Sequence, residues 1–317
     1  MRVRRPADPL RVLETPEGYR ARFMDPVLWG PSVREVCARH GLPEGAIRPG
    51  LAGSYPTFIV DERIVVKFFG RLFDGWTSWR VESSVAGLVA GLAWFGAPRL
   101  LASGREGEWP YLAFRFVPGA SIGEARRRVR LADRRALARR LGRRLRELHA
   151  IEGPGSLPRL TRRKLECWYD ARKRQGMKGV PRHLARQADA FLASCPMRVG
   201  AAHLIHADLT ADHVLGEIQG GRWRPRGIID FGDAMRGNLF YELCALHLDL
   251  FAADRRLLAA FLGSYGPDPE DQRDFARKAM RMALMHRFDV LGPVFARRPA
   301  LSRLGSLEEV ADTLWNP

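Results

Sequence analysis

The sequence predicts an α+β fold in two lobes, a small antiparallel-sheet N-lobe and a larger, mostly helical C-lobe. Three observations carry this. Short β-branched and aromatic runs separated by turn residues occupy the stretch from Ile47 to Phe114. After the link Val117-Pro118-Gly119, helical patterns dominate to the C terminus. At 317 residues with 46% hydrophobic and 27% charged side chains, the chain can bury one large or two ordinary cores, which excludes disordered, collagen-like and coiled-coil classes. The expected division is residues 1–117 for the N-lobe and 118–317 for the C-lobe.

A loose N-terminal arm is expected to lead into a helix from about Asp25 to His40, stopped by Gly41. The turn-rich piece Pro49-Gly50-Leu51-Ala52-Gly53-Ser54 precedes a strand at Thr57–Val60, a polar turn at Asp61-Glu62 and a second strand at Ile64–Phe69. Trp79–Phe95 reads as a helix with Glu82 near its start, ended by Gly96-Ala97-Pro98. Strands at Leu100–Ala102 and Tyr111–Phe114 flank a turn at Gly104–Glu108. In the helical part, Leu131, Leu137, Leu141, Leu145 and Leu148 fall on one helix face.

The formal charge of +17 points at first to nucleic acid. Its distribution argues against that partner, because residues 121–200 carry 22 basic and 7 acidic groups while 201–317 carry 14 and 16. A solvated arginine face opposite the leucine stripe accounts for the excess. No apolar run is long enough to cross a bilayer, and Met1-Arg2-Val3-Arg4-Arg5-Pro6 lacks an apolar signal core. A cytoplasmic protein with no membrane partner is the expectation. Cys37, Cys167, Cys195 and Cys244 stand singly, with no zinc or disulfide spacing, and are expected as buried free thiols.

The chain holds only five lysines, and Lys67 is the only one before residue 164. It lies inside the apolar run Ile64-Val65-Val66-Lys67-Phe68-Phe69, where a charge kept among hydrophobic neighbours invites a functional reading. The most informative segment is His206-Ala207-Asp208-Leu209-Thr210-Ala211-Asp212-His213-Val214-Leu215, followed by Gly227-Ile228-Ile229-Asp230-Phe231-Gly232-Asp233-Ala234. Phosphoryl transfer from a nucleotide needs a carboxylate to orient and deprotonate the attacking hydroxyl, and further ligands to hold a metal against the phosphates. Asp208 has the position of the base, His213 falls five residues later at a metal-ligand position, and Asp230 opens a D-F-G.

These paired motifs are similar to those of the aminoglycoside phosphotransferase family, a branch of the protein-kinase-like fold. The family pattern H-x-D-L-x-x-x-N-x-L becomes His206 to Leu215. The I-D-[WF]-x-x-A segment becomes Ile229 to Ala234, and the later G-D-P with its acidic residue becomes Gly237-Asn238 with Glu242. The resemblance covers about residues 45–265. It implies a bilobal kinase-like fold, ATP or GTP as donor, Mg2+ with Mn2+ as a further option, and a hydroxylated small molecule as acceptor. It also implies Lys67 as the phosphate lysine, Glu82 as its ion-pair partner, Gly53 and Ser54 as the phosphate-covering turn, and Phe116 in the link where adenine docks. Asp208 is then catalytic, and His213 and Asp230 are metal ligands.

Two positions depart from the pattern. His213 stands where an asparagine is usual, so an imidazole nitrogen replaces a hard amide oxygen. It binds metal directly with Mn2+ tolerance, binds through water, or weakens the site. Asn238 replaces the G-D-P aspartate. Asp249, Asp254, Asp268, Glu270, Asp271 and Asp274 suit a cationic acceptor, or else are helix ends and caps. Trp109, Trp168, Trp223 and Tyr265 line an acceptor site or pack the core. Two rival readings stay open: a nucleotide-binding pseudokinase acting as an interaction module through the 121–200 surface, and a nucleic-acid binder suggested by charge alone.

Overall fold

The computed structural model describes residues 9–51, 53–92, 96–194 and 202–317. The first eight residues of the expected N-terminal arm, Ala52, Cys195 and the last positions of the predicted Trp79–Phe95 helix lie outside the described residues. The chain forms two compact units, one of Met1–Gly119 with Arg226–Gly232, the other of Ala120–Pro225 with Asp233–Pro317.

In the first unit, α1 (Pro16–Arg22) and α2 (Pro26–Arg39) precede β1 (Ile47–Pro49), β2 (Thr57–Val60), β3 (Ile64–Phe68), α3 (Gly75–Ala90), β4 (Leu100–Glu106) and β5 (Trp109–Arg115). The strands form one antiparallel sheet in the order β1-β2-β3-β5-β4. Asp25 caps α2 by accepting from the N–H groups of Val27 and Leu28, with Pro26 at the first helical position. The short helix α1 was not expected; Thr15 caps it and Tyr19 buries its inner face. Asp61 and Glu62 both take positive φ in the tight connection between β2 and β3.

Alternation along β3 divides the unit. Ile64, Val66 and Phe68 point into a core with Trp29 and Val33 of α2, whereas Val65, Lys67 and the following Phe69 share the other face. On that side Phe69, Leu112 and Phe114 pack with Ala86 and Trp79 of α3. Gly227 is held close to Gly96, since a Cβ on Gly227 would meet the Gly96 carbonyl oxygen at 2.1 Å. This backbone approach belongs to the segment Arg226–Gly232, which carries Asp230 into the sheet unit although sequence order places it in the helical part.

The second unit opens with β6 (Ala120–Ser121), α4 (Ile122–Ala125), α5 (Leu131–His149), α6 (Arg162–Arg174), α7 (Arg182–Ala185) and α8 (Ala188–Ser194). Then follow β7 (His203–Ile205), β8 (Val214–Gln219), β9 (Arg222–Ile228), whose end runs into the first unit, and β10 (Met235–Gly237). The rest is helical: α9 (Leu239–Ala245), α10 (Arg255–Tyr265), α11 (Pro269–Gln272), α12 (Phe275–Met285), α13 (Gly292–Arg297) and α14 (Leu307–Trp315). Leu137, Leu141, Leu145 and Leu148 of α5 are buried, and Arg135, Arg139 and Arg143 are exposed, as the stripe predicts. Gly142 lets α10 approach, for a Cβ there would lie 2.4 Å from the Phe261 carbonyl oxygen.

Cys37 and Cys244 are buried free thiols, but Cys167 is exposed on the outer face of α6, which corrects the expectation for it. Among the described residues no helix is long and apolar enough to cross a membrane.

Candidate active site

Lys67 is the fourth residue of β3, a strand paired on both sides, with Thr57 on β2 and Leu112 on β5 as its register partners. The strand period turns its side chain toward α3, where Glu82 is waiting. The helix begins at Gly75, four residues before the predicted start, so Glu82 lies two turns in rather than at a helix end. Its burial, at 4% exposure, removes the simple first-turn explanation for a charge there. Lys67 Nζ donates to Glu82 Oε2 at 2.8 Å and to Asp230 Oδ1 at 2.8 Å. Burial alone would push the Lys67 ammonium down; Asp230 and then Glu82 outweigh it and hold it above the usual lysine range.

Asp230 adopts φ of 65°, a left-handed conformation that aspartate tolerates better than most residues. Gly232 follows in the same loop. A Cβ there would lie 3.3 Å from Asp230 Oδ1 and 3.5 Å from Glu82 Oε2, so the D-F-G glycine keeps space beside the ion triad.

The second unit builds the other half of the predicted set. β7 pairs with β10 through Leu204↔Arg236 and Ile205↔Met235 and releases the chain at His206. Ala207 there has φ of 69°. The loop is held from beneath by Glu242 of α9, fully buried, whose Oε2 accepts from the N–H of His206 at 2.7 Å and of Ala207 at 3.2 Å. Burial would push the Glu242 carboxyl up, but His149, His206 and the Ala207 N–H hold it below the usual range. Asn238 N-caps α9 by accepting from the Tyr241 N–H at 3.0 Å, which gives the departure at that position a structural use.

Hydrogen-bond logic fixes both ring tautomers in the loop. The Asp208 N–H donates to His206 Nδ1 at 3.3 Å, so that nitrogen is an acceptor. His213 Nδ1 lies 2.6 Å from the Asp208 carbonyl oxygen, which can only accept, so Nδ1 carries a proton, and in the neutral ring Nε2 holds the lone pair. The two imidazoles stack at 5.8 Å. His213 Nδ1 is also 3.8 Å from Asp208 Oδ2.

The structure thus joins Lys67, Glu82 and Asp230 in one cluster, and Asp208 with His213 in another. It gives other contacts to the remaining predicted residues. The Ser54 carbonyl accepts from the Tyr19 hydroxyl at 2.6 Å, and the Phe116 N–H donates to the Arg63 carbonyl at 2.9 Å, beyond the end of β3 opposite Lys67. Space around Gly53 is open, with nothing within 4 Å of where a Cβ would stand. Of the acidic acceptor candidates, Asp254, Asp268 and Asp274 occupy N-cap positions and Glu270 and Asp271 the first turn of α11, as the cap alternative has it. Asp249 has a use the sequence did not reveal: its Oδ1 accepts from the Ala211 N–H at 2.8 Å and steadies the loop turn before His213. No local pattern signals that contact across 38 residues. Trp109, Trp223 and Tyr265 are buried in packing.

Among the described residues no three His, Cys, Asp or Glu side chains gather into a self-sufficient metal cage. As single donors, Asp230 in the first unit offers hard carboxylate oxygen, and the His213 ring in the second, when neutral, offers Nε2.

Comparison with known proteins identifies the family and the fold. The sequence model of the phosphotransferase enzyme family matches residues 82–280. The GDP complex of aminoglycoside 2'-phosphotransferase-IIIa superposes with a TM-score of 0.68 at 20% identity, covering 90% of this chain and 96% of that one. The microcompartment-associated aminopropanol kinase gives 0.62 at 14% identity, covering 90% and 99%. The ternary complex of APH(2'')-IIa with streptomycin and ATP gives 0.57 at 17%, covering 80% and 88%. Among curated proteins, lysine-specific demethylase JMJ21 of Arabidopsis thaliana is 24% identical over 287 residues, which cover 69% of this chain and 30% of that protein. The chain therefore spans less than a third of that relative. On the breadth of the family match, the chain belongs to the phosphotransferase enzyme family and has the α+β, protein-kinase-like fold of the aminoglycoside phosphotransferases.

Proposed function

We propose that this protein is a nucleotide-dependent O-phosphotransferase that moves the γ-phosphoryl group of ATP or GTP to a hydroxyl of a small molecule, an aminoglycoside- or macrolide-like antibiotic or a metabolite. The observation that carries the proposal is the triad of buried Lys67 and Glu82 with half-exposed Asp230, both ion pairs at 2.8 Å, in a chain of this family. Such a charge set in an apolar setting is an expensive arrangement unless it has work to do on a ligand.

In this reading Asp208 orients the acceptor hydroxyl and takes its proton as the oxygen bonds to the γ-phosphorus. The bond from that phosphorus to the β–γ bridging oxygen breaks, and the nucleoside diphosphate leaves with the electron pair. Lys67, steadied by Glu82, grips the phosphates; Gly53 and Ser54 cover them; Phe116 borders the base. Asp230 and His213 would hold Mg2+, or Mn2+, and the bound ion would neutralise phosphate charge. Most of the rate enhancement comes from positioning and charge stabilisation. The nucleotides and amino-alcohol compounds in the names of the fold neighbours support nucleotide as donor and a hydroxylated amine among the acceptors. A cytoplasmic site of action fits a reaction that draws on cellular nucleotide.

The test is nucleotide consumption by the purified protein across a panel of hydroxylated antibiotics and metabolites, with ATP or GTP and with Mg2+ or Mn2+. Consumption that depends on one acceptor class supports the reading. Nucleotide binding with no consumption for any acceptor favours the pseudokinase instead.

A further inference from the structure

The Lys67 ammonium has three N–H donors, and two go to Glu82 and Asp230. Two aromatic rings border it as well. Its Nζ lies 5.6 Å from the Tyr55 ring centroid and 5.2 Å from that of Phe69, and the two rings meet at 5.0 Å and 46°. Both distances fall within the range where a ring face attracts a cation.

Tyr55 does a second thing with its hydroxyl, which lies 2.8 Å from the Phe73 carbonyl oxygen and 2.8 Å from Ser78 Oγ. The carbonyl can only accept, so the phenol proton goes there and the Ser78 hydroxyl donates to the phenol oxygen. Ser78 is buried one helical turn before Glu82 on the same face of α3. Tyr55 also directly follows Gly53-Ser54, and the Tyr19 hydroxyl fastens that turn from its other side at the Ser54 carbonyl. One residue thus touches the lysine, the helix that carries the lysine's carboxylate, and the turn.

We propose that Tyr55 is a positioning residue for the nucleotide phosphates: its ring confines the Lys67 ammonium, and its hydroxyl pins the Gly53-Ser54 turn to α3. The proposal rests on the reading of Lys67 as the phosphate lysine. A lysine has four side-chain torsions to order when it grips a ligand. With two carboxylates and two rings fixing it beforehand, one N–H remains for an incoming oxygen at little further ordering. The pin ties turn and helix together, so that the two sides of the phosphate site move as one.

The ring and the hydroxyl are tested separately. Only five lysines occur in the chain, so protein carrying 13C at the lysine ε position gives five signals, with Lys67 assigned by a Lys67→Arg variant. In the wild type the Lys67 ε protons are expected upfield, with an NOE to the Tyr55 ring protons, and this arm needs no variant that might not fold. Tyr55→Phe keeps the ring and leaves that signal in place; Tyr55→Leu moves it downfield. An absent NOE, or an unmoved signal in a folded Tyr55→Leu protein, overturns the ring's role whatever the protein does with nucleotide. Tyr55→Phe and Ser78→Ala each lose the pin and are expected to raise the nucleotide KM about three- to tenfold with kcat changed less than about twofold. A KM equal to wild type in both variants overturns the pin. A wild-type protein that binds no nucleotide defeats the functional reading instead, while the NMR arm still decides the confinement of Lys67.

Discussion

Glu242→Ala should unfasten the loop at His206 to Asp208. The wild-type carboxylate is fully buried and accepts two backbone N–H groups, from His206 at 2.7 Å and Ala207 at 3.2 Å. Hydrogen bonds to a charged acceptor contribute about 1.5–3 kcal/mol each, and a buried donor left unmet costs about 1–3 kcal/mol. Allowing water to enter the space vacated, the loss is about 3–5 kcal/mol. For a unit of roughly 190 residues that corresponds to about 6–20 °C in melting temperature. Glu242→Gln is the control. Its amide oxygen still accepts from both N–H donors, while its NH2 group enters a position where Glu242 Oε1 has no hydrogen-bond partner. The expected loss is smaller, about 1–3 kcal/mol. The charge also sets a pH dependence. The folded carboxyl lies below its ordinary value, so its contribution is present above about pH 4.5 and is lost as pH falls through the folded value. Melting curves of the three proteins at pH 7, read together with turnover, give the answer. Ala207 holds a φ of 69°, strained for alanine, with its N–H bonded to Glu242, so turnover in Glu242→Ala should fall about a hundredfold through misplacement of Asp208. A Glu242→Ala protein that melts within about 2 °C of wild type and turns over within about threefold of it would refute the clamp.

Three further outcomes follow from the same structure. Lys67→Met removes the cation held between two carboxylates and breaks both ion pairs, at a cost of about 3–5 kcal/mol in stability; Glu82→Gln with Lys67→Met together should recover part of it, and a double variant no better than the single would contradict the pairing. Gly227→Val sets a side chain against the Gly96 carbonyl, where even a Cβ would lie at 2.1 Å, so urea denaturation should show a loss of several kcal/mol, about 2–4. The buried histidines His247 and His286 are pushed down to about 4 and about 3, mainly by burial. Their neutral forms stabilise the fold above pH 6.5, and that stability is lost as pH falls toward the folded values. Between pH 7 and pH 5 each should remove about 2 kcal/mol. Melting temperatures recorded over that interval should fall, and His286→Asn, which keeps an acceptor for the Phe288 N–H, should flatten the slope; an unchanged slope would count against it.

The residues legible from sequence were those whose chemistry is written locally. Lys67 stood out because a charge sat in an apolar strand, and β3 does carry it toward α3. The His206 to Leu215 segment and the Asp230 loop were visible because each packs its polar side chains into a few consecutive positions. The leucine stripe of α5 gave its buried face for the same reason. Contacts between distant segments left no such trace. The start of α3 at Gly75 was missed because Gly75, Thr77 and Ser78 are weak helix formers, and tertiary packing overrides them: a Cβ on Gly75 would lie 2.3 Å from the Gly70 carbonyl oxygen. Helix α1 was hidden in an arm that looked loose, since its seven residues depend on the Thr15 cap and on burying Tyr19. Asp249 was read as an acceptor candidate because its bond to the Ala211 N–H exists only once the turn after α9 has formed. The membership of Arg226–Gly232 in the sheet unit was likewise unreadable, since it depends on two glycines 131 positions apart meeting backbone to backbone.

The central claim is that the Asp208 carboxylate serves the transfer step rather than the binding of nucleotide. Asp208→Asn removes the proton acceptor while keeping the side chain's size, and its backbone carbonyl still receives His213 Nδ1. Calorimetric nucleotide affinity and acceptor-dependent turnover, measured on the same preparation, separate the two roles. The account predicts an affinity within about threefold of wild type and turnover lower by about 10²- to 10⁴-fold. Turnover equal to wild type, with the substitution verified by mass, would contradict it.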